Sequence, residues 1–382
     1  MIMERIKYLY IFSGAVRNIR GFFKMVESRE DANLHRFFIP QDDNLKIWVP
    51  ELNSHNNIIY LCKGSKFNQF LFMYKLFKRA ENIVIHGMFF GNWPLLVLLS
   101  SKTFLNKLSW IEWTGDVYLW RRPNNSLKNI IINFINRKIR EKVKFIVMSA
   151  PNDKERFEQE FDVTNKKIIE LSFPSNRDAK AELQEIKPKR YIDSCKLIQI
   201  GHNSYTFNKH IMIINMLEKY KRENIKIILP LTYGWSGLNG QFGSIDYMRA
   251  VIRYAKSVFH ERALIFRKNI PLKNYSKFLW NVDVAIFGLD RLAAASNIYM
   301  LLYMGKKIFF DGQSPHYRFF KEQGFDVYDL YDIPNMTYEE FIAPAMHKNS
   351  LWLDNIYNND FVIARWNKEF YGHLEEMGRK DL

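Results

Sequence analysis

A chain of 382 residues, 47% hydrophobic and 16% aromatic, has the length for two domains and the apolar mass for a core in each, which excludes a disordered chain. The balance is basic, with 56 Lys and Arg against 40 Asp and Glu for a net charge of +16. The surface therefore suits something acidic: nucleic acid, anionic lipid or a phosphorylated substrate. Two cysteines, Cys62 and Cys195, lie far apart, which excludes a disulfide framework and a cysteine-built metal site and fits a reducing, cytoplasmic compartment.

Residues 7–13 read as a first strand, preceded by a start too short and too charged for a signal peptide. Short β-rich runs follow at 45–49 and 57–61, then helical spacing at 70–79. An apolar strand at 82–86 ends in His86-Gly87. A buried helix is expected at 93–100, whose apolar run is far below the ~20 residues that span a bilayer, so membrane contact is expected to be peripheral. A strand at 108–113, a basic amphipathic helix at 127–140, a strand at 143–148 and a charged helix at 153–161 complete the first set. This alternation predicts a parallel sheet covered by helices.

Residues 178–190, polar and containing Pro188, read as a linker. The pattern restarts with strands at 196–200, 226–229, 263–266, 282–287 and 307–310. Helices at 209–221, 244–257, 272–280 and 296–304 lie between them, and 360–382 reads as a terminal helical segment. The expected organisation is α/β: a Rossmann-like domain over 1–180, a doubly wound second domain over 190–355, and a helical segment over 356–382. Two such domains make a cleft, and ligands bind beyond the carboxyl ends of the strands, so the residues just after each strand are the candidates.

Three such segments stand out. Gly201-His202-Asn203-Ser204 follows a strand and precedes a helix; Gly201 permits a tight turn, Asn203 and Ser204 offer polar side chains, and the helix start favours an anion, although an ordinary βα turn has the same composition. In the segment 287–297, Arg291 brings a forked cation suited to phosphate, and Ser296 and Asn297 are N-cap candidates; a solvated arginine and a plain cap would look alike. Glu112-Trp113-Thr114-Gly115-Asp116 places a carboxylate where a general base for an acceptor hydroxyl is needed, with His86 expected nearby; a turn or cap would also use Asp116. There is no GxGxxG, no GxxxxGK[ST], no HExxH, no DxD and no GxSxG, which counts against nicotinamide enzymes, P-loop NTPases, DxD- or zinc-dependent enzymes and serine hydrolases. Asp326, Asp329 and Asp332 read as a turn or solvated face. Basic residues mixed with aromatics at 133–144 (Arg137, Lys138, Arg140, Lys142, Lys144), and at Arg17, Arg20, Phe22, Phe23 and Lys24, are expected to face anionic headgroups, though each could be a solvated face; no nucleic-acid module is recognisable.

Taken in order, these segments resemble glycosyltransferase family 56. His86-Gly87-Met88-Phe89 is similar to the family's His-Gly-x-Phe, and residues 110–118 (WIEWTGDVY) to its Trp-x-x-Trp-Gly-x-Asp-x-Tyr. Phe173-Pro174 precedes the linker as in the family. Gly201-His202-Asn203-Ser204 with Asn208 and His210 resembles Gly-Asn-Ser followed by Asn-x-His. Leu229-Pro230-Leu231-Thr232-Tyr233 resembles Val-Pro-x-x-Tyr, and Leu289-Asp290-Arg291 its Phe-x-Arg. Coverage runs from about residue 86 to 328. The chain departs from the pattern at Thr114, where the family has Gly, at His202, an added residue, and at Ser296-Asn297 in place of Gly-Thr.

The resemblance implies a GT-B fold, two Rossmann-like domains facing across a cleft, without a bound metal or other cofactor. It implies a hexosyltransferase that moves a deoxy-amino sugar, N-acetylfucosamine-like, from a nucleotide-diphosphate donor to a polyprenyl-diphosphate-linked glycan. The setting would be enterobacterial common antigen or O-antigen synthesis at the cytoplasmic face of the bacterial inner membrane. Asp116, then His86, would activate the acceptor, with Gly87, Trp113 and Gly115 beside them. Gly201, Asn203, Ser204, Arg291, Ser296 and Asn297 would meet the diphosphate, and Pro230, Thr232 and Tyr233 the base or sugar. A GT-B transferase of another sugar, for capsule or O-antigen units, and a non-catalytic membrane-surface scaffold are the alternatives. No nucleic-acid partner is expected.

Overall fold

A computed structural model describes residues 5–12, 19–39, 57–61, 64–88, 97–118, 120–122, 124–148, 151–174, 195–234, 243–268, 272–291, 293–345, 349, 353 and 359–380. The expected strand at 45–49, Arg17, Cys62, Phe89, the first part of the helix at 93–100 and the linker at 178–190 lie outside the described residues. The chain divides into two compact units, Met1–Asn176 with Asn359–Leu382, and Arg177–Asn358.

In the first unit, β1 (Ile6–Phe12), β2 (His35–Ile39), β3 (Ile58–Tyr60), β4 (Ala80–His86), β5 (Leu108–Ile111), β6 (Phe145–Met148) and β7 (Lys167–Glu170) form one sheet in the order β3-β2-β1-β4-β5-β6-β7. Every pairing is parallel. The central strands are apolar without alternation because both faces are covered. On one face pack α2 (Lys66–Arg79), α3 (Lys102–Asn106), α5 (Leu127–Lys142) and α6 (Pro151–Glu160), through Met73, Phe77, Phe104, Ile139 and Phe157 against Ile83, Ile85, Trp110 and Ile146. The short α4 (Gly115–Tyr118) follows β5. On the other face lie α1 (Ile19–Glu27) and the end of the chain.

Phe22 and Phe23 do not join a basic surface, as their sequence neighbourhood suggests. They are buried on α1, whose apolar stripe closes this second face, and only Lys24 of the triplet is exposed. β2 and β7, not foreseen from sequence, add a strand between β3 and β1 and the edge beyond β6. β2 is short and begins with His35, and β7 is only half buried, so neither carries a strong apolar run.

In the second unit, β8 (Lys196–Ile200), β9 (Ile225–Pro230), β10 (Ala263–Phe266), β11 (Val284–Phe287), β12 (Lys307–Phe310) and β13 (Tyr328–Asp329) form a parallel sheet in the order β10-β9-β8-β11-β12-β13. α7 (His210–Leu217) and α8 (Ile245–Phe259) cover one face, and α9 (Leu272–Asn281), α10 (Ala295–Tyr303) and α11 (Pro315–Glu322) the other; α12 (Tyr338–Ile342) packs with the first group. The strand order reverses between β1 and β4 in the first sheet and between β8 and β11 in the second. Such a switch point leaves a crevice at the carboxyl ends of the two strands, because the loops leave toward opposite faces.

The terminal segment is not a region of its own. α13 (Asn359–Arg365), a π-helical turn (Trp366–Tyr371) and α14 (Gly372–Lys380) return to the first unit. Trp366, Phe370, Tyr371 and Leu374 are buried among Tyr10, Phe22 and Phe145. Trp366 Nε1 donates to the Ser172 carbonyl at 2.8 Å, the Tyr371 and Tyr10 hydroxyls are 2.8 Å apart, and the Arg29 guanidinium lies 3.7 Å from the Tyr371 ring centre. The last residues thus complete a core begun by the first strand. Trp366→Ala is expected to destabilise the first unit by ~3–5 kcal/mol through the cavity it opens. Urea unfolding should then separate into two transitions, the second unit's midpoint unchanged; a single unshifted transition would contradict this packing.

Candidate active site

The loop after β8 turns at Gly201, where φ is +64° and a Cβ would fall 2.8 Å from Asn208 Oδ1 and 2.9 Å from His210 Nε2. Only glycine fits so close an approach in that backbone region. His202 is buried and spans its neighbours: Nδ1 lies 3.1 Å from Asn208 Oδ1 and Nε2 lies 2.7 Å from Asn203 Nδ2. Asn203 Oδ1 accepts from the Tyr205 N–H at 2.9 Å and from Asn208 Nδ2 at 2.7 Å. Ser204 ties the next strand's loop, its N–H and hydroxyl donating to the Tyr233 carbonyl at 2.8 and 2.7 Å. The added histidine is therefore a member of the network, not a disturbance of it.

Arg291, in the loop after β11, is buried to 6% exposure. Its Nε donates to Asp290 Oδ1 at 2.9 Å, and its guanidinium carbon lies 4.6 Å from the Phe207 ring centre. Phe207 in turn stacks on Tyr205 at 5.1 Å, and Tyr205 meets Tyr233 edge-on at 6.3 Å. At Gly288 a Cβ would fall 2.8 Å from the Asn208 carbonyl oxygen, so the loops after β8 and β11 pack backbone to backbone at the switch point. Gly201, Asn203, Ser204, Tyr233 and Arg291 are thus brought together, with Thr232 and Pro230 on the same β9 loop. Burial pushes His202 down to about 4, against the hydrogen bond with Asn208, and His210 and His316 down to about 3, so all three are neutral imidazoles near pH 7.

Ser296 and Asn297, expected as N-caps, lie inside the first turn of α10. The cap is Ala294, at φ +59°, whose carbonyl accepts the Asn297 N–H at 2.8 Å. Ser296 is exposed and gives no capping hydrogen bond. The left-handed alanine starts the helix two residues earlier than a cap at Ser296 would, which sequence composition hides. Sequence reading also missed Tyr205, Phe207 and Lys209. Lys209, itself left-handed at φ +54°, pairs with Asp311 after β12. Of the three aspartates at 326–332, Asp329 holds a turn, accepting from the Gly312 and Tyr331 N–H groups at 3.0 Å each.

In the first unit, Asp116 is buried and collects N–H groups from three places. Met88 N and Trp110 Nε1 donate to Oδ2 at 2.6 and 2.8 Å, and Trp113 N donates to Oδ1 at 2.9 Å. Its own carbonyl accepts from Arg140 at 3.0 Å. Arg140 is completely buried, its guanidinium stacked near Trp110 and Trp120 and bonded to Asn136, and so is not part of the basic surface expected at 133–144. Burial pushes the Asp116 carboxyl up against the pull of Arg140, and pushes Arg140 down to about 10 against the pull of Asp116. Desolvation leads on both sides, and the direct contact between the two residues is the Arg140 hydrogen bond to the Asp116 backbone carbonyl.

His86 is not beside that carboxylate. Its ring stacks on Phe12 at 4.2 Å and meets Phe22 edge-on at 4.5 Å, on the sheet face opposite the one where Trp110 packs. Burial holds it neutral. Gly87, at φ +69°, redirects the chain so that Met88 reaches Asp116. Trp113 packs on Phe173, while Gly115 opens α4.

Thr114 explains a departure from the family pattern. Its φ is +52°, the left-handed region that favours the family's glycine, and its hydroxyl donates to Asp153 Oδ2 at 2.7 Å. Asp153 is buried within hydrogen-bond reach of Tyr118 and Glu112 as well, so two carboxyls share one enclosed space. Burial pushes Asp153 up to about 6, against the hydrogen bonds from Thr114, Tyr118 and Glu112.

Two tests follow from this loop. Thr114→Val keeps the strain and loses the hydroxyl, and should cost ~2–3 kcal/mol, whereas Thr114→Gly should stay within ~1 kcal/mol of the parent because relief of strain offsets the lost bond. Chemical denaturation of both variants checks the order. An acid raised in the folded state contributes stability below its unfolded pKa and loses it as pH rises through the folded one. Asp153→Asn mimics the protonated pair, so its stability relative to the parent should improve from about pH 4 to about pH 7. A constant difference across that window would rule out the raised Asp153 carboxyl.

The model of the family described as 4-alpha-L-fucosyltransferase, glycosyl transferase group 56, matches residues 17–348. Among solved structures, the alpha,alpha-trehalose 6-phosphate synthase of Burkholderia multivorans is similar at 9% identity and a TM-score of 0.62, over 99% of this chain and 98% of that one. A UDP-N-acetylglucosamine 2-epimerase is similar at 11% identity and a TM-score of 0.54, over 98% and 97%. The S. aureus MnaA–UDP co-structure is similar at 10% identity and a TM-score of 0.53, over 97% of each chain. These likenesses show the GT-B fold of two Rossmann-like units, and with the family match they establish that the chain belongs to glycosyltransferase group 56, the 4-alpha-L-fucosyltransferase family.

Proposed function

We propose that this glycosyltransferase takes a deoxy-amino sugar, N-acetylfucosamine-like, from a nucleotide-diphosphate donor. The proposed acceptor is a polyprenyl-diphosphate-linked glycan at the cytoplasmic face of the bacterial inner membrane, in surface polysaccharide synthesis. The observation that carries the reading is the meeting of the Gly201–Ser204 turn, Tyr233 and Arg291 at the switch point of the second sheet. A positive-φ turn and a buried guanidinium side by side suit a diphosphate. A UDP co-structure among the similar folds supports a nucleotide diphosphate as the product side of the donor.

In this reading Gly201, Asn203, Ser204 and Arg291 meet the diphosphate, with Ser296, Asn297 and the first N–H groups of α10 beside them. Pro230, Thr232 and Tyr233 border the base or sugar. Charge that develops on the leaving diphosphate is met by Arg291 and backbone N–H groups, with no metal required. On the acceptor side, Asp116 Oδ1 takes one N–H, from Trp113, and keeps acceptor capacity for a hydroxyl. His86 shapes the end of β4, and Gly87, Trp113 and Gly115 complete the acceptor loop. Among the described residues no helix is long and apolar enough to cross a membrane, which is compatible with a peripheral attachment.

The test is a donor panel. Purified protein with an undecaprenyl-diphosphate-linked glycan should release nucleoside diphosphate from a deoxy-amino-sugar nucleotide. Arg291→Ala should weaken donor binding ~10–100-fold, and Asp116→Asn should abolish turnover while donor binding, measured separately, persists. No binding and no release across the panel would overturn the donor reading; intact turnover in Asp116→Asn would remove Asp116 from the base role.

A further inference from the structure

Seven of the thirteen large apolar side chains that stand exposed among the described residues belong to two helices of the first unit. On α2, Phe67, Leu71 and Tyr74 recur at i, i+4 and i+7, with Phe67 68% exposed. On α5, Leu127, Ile130, Ile131 and Phe134 recur at i, i+3, i+4 and i+7, with Leu127 73% exposed. Each set is one stripe turned away from the sheet. Both helices pack on the same sheet face. Each follows a parallel strand and runs back against it, so its first half lies at the carboxyl edge of the sheet, the edge that carries the Gly87 and Glu112–Asp116 loops.

The charge beside these stripes is basic along both helices. α2 carries Lys66, Lys75, Lys78 and Arg79 and no acidic residue. Lys78 extends the apolar stripe one turn beyond Tyr74, and on α5 Lys138 extends the other, its ammonium 5.7 Å from the Phe134 ring centre. The one acid of α5, Glu141, lies in the last turn and is held by Arg137 and Lys138. The next helix in the layer, α6, mixes both signs, with Lys154 and Arg156 paired to Glu158 and Glu160, and shows no exposed large apolar side chain among its described residues, so the apolar surface ends at α5. Exposed apolar groups flanked by lysines at both ends, Lys66 and Lys128 beside the first of them and Lys75, Lys78 and Lys138 further along, match an interface with hydrocarbon beneath phosphate, where long cationic side chains reach back to the headgroups.

We propose that the α2–α5 face of the first unit docks on an anionic lipid bilayer, apolar side chains inserted, and so holds the acceptor loops at the carboxyl edge against the headgroup layer. This deepens the lipid-linked acceptor reading and rests on it for its purpose, though not for its physical argument. The acceptor's diphosphate would then lie at the depth of the loops after β4 and β5 without leaving the membrane.

The experiment uses the full chain and vesicles of phosphatidylethanolamine with phosphatidylglycerol, compared with phosphatidylcholine alone. The parent should bind the anionic vesicles preferentially and less so as salt rises. Lys75→Gln, Lys78→Gln and Lys128→Gln together should weaken partitioning roughly fivefold per charge, on the order of 100-fold in all. Phe67→Gln, Leu71→Gln and Phe134→Gln together should weaken it at least ~10-fold on the same vesicles. Turnover on a short-chain, water-soluble acceptor should be unchanged in both variants, while turnover on vesicle-borne acceptor falls with binding. Unaltered vesicle binding in both variants overturns the proposal, as does a parent that binds no vesicles. If the apolar variant loses self-association in sedimentation but keeps vesicle binding, the face joins copies of the chain and the proposal fails. If no acceptor is glycosylated yet vesicle binding still follows the variants, the docking face stands and the acceptor reading falls.

Discussion

Asp116 accepts N–H groups from the loop after β4, from the indole of β5 and from the turn after β5, while Arg140 reaches from α5 to its carbonyl. Two strand ends, one loop and one helix are therefore registered on a single buried residue. Both side chains are buried, and burial outweighs their mutual attraction, raising the Asp116 carboxyl and lowering the Arg140 guanidinium, while hydrogen bonds hold both in place. Thr114 and Glu112 of the same loop meet Asp153 of α6, so the geometry of the loop after β5 depends on this one polar core.

The second unit solves the same problem with neutral groups. Asn208 stands at the centre of its network, accepting from His202 and donating to Asn203, and its backbone carbonyl abuts Gly288. Three buried histidines there are neutral. Arg291, paired with Asp290, brings a buried guanidinium to the converging loops, the feature on which the proposed anion site rests.

Family membership and local physics meet at the residues where this chain differs from its family. Threonine at 114 occupies a glycine backbone and is held by Asp153. The added His202 bridges the two asparagines that flank it in the network. Both differences are compensated within a few ångströms, and neither disturbs the order of segments by which the family is recognised.

Most strands and helices were legible in the sequence because apolar runs between helical stripes leave few alternatives for a parallel sheet. The positions of the loops after β5, β8 and β11 were legible for the same reason, since each follows an apolar strand run. Tertiary structure decided what pattern cannot carry. Arg140 and Phe22 look like surface residues beside their lysines, and only packing turned them inward. His86 and Asp116 are close in topology but point to opposite faces, a matter of strand alternation past Gly87. The terminal helices gave no sign of returning to the first unit, because Trp366 and Tyr371 could have closed any core. A sequence records which residues want burial or a charge partner; only the folded chain determines which partner is within reach.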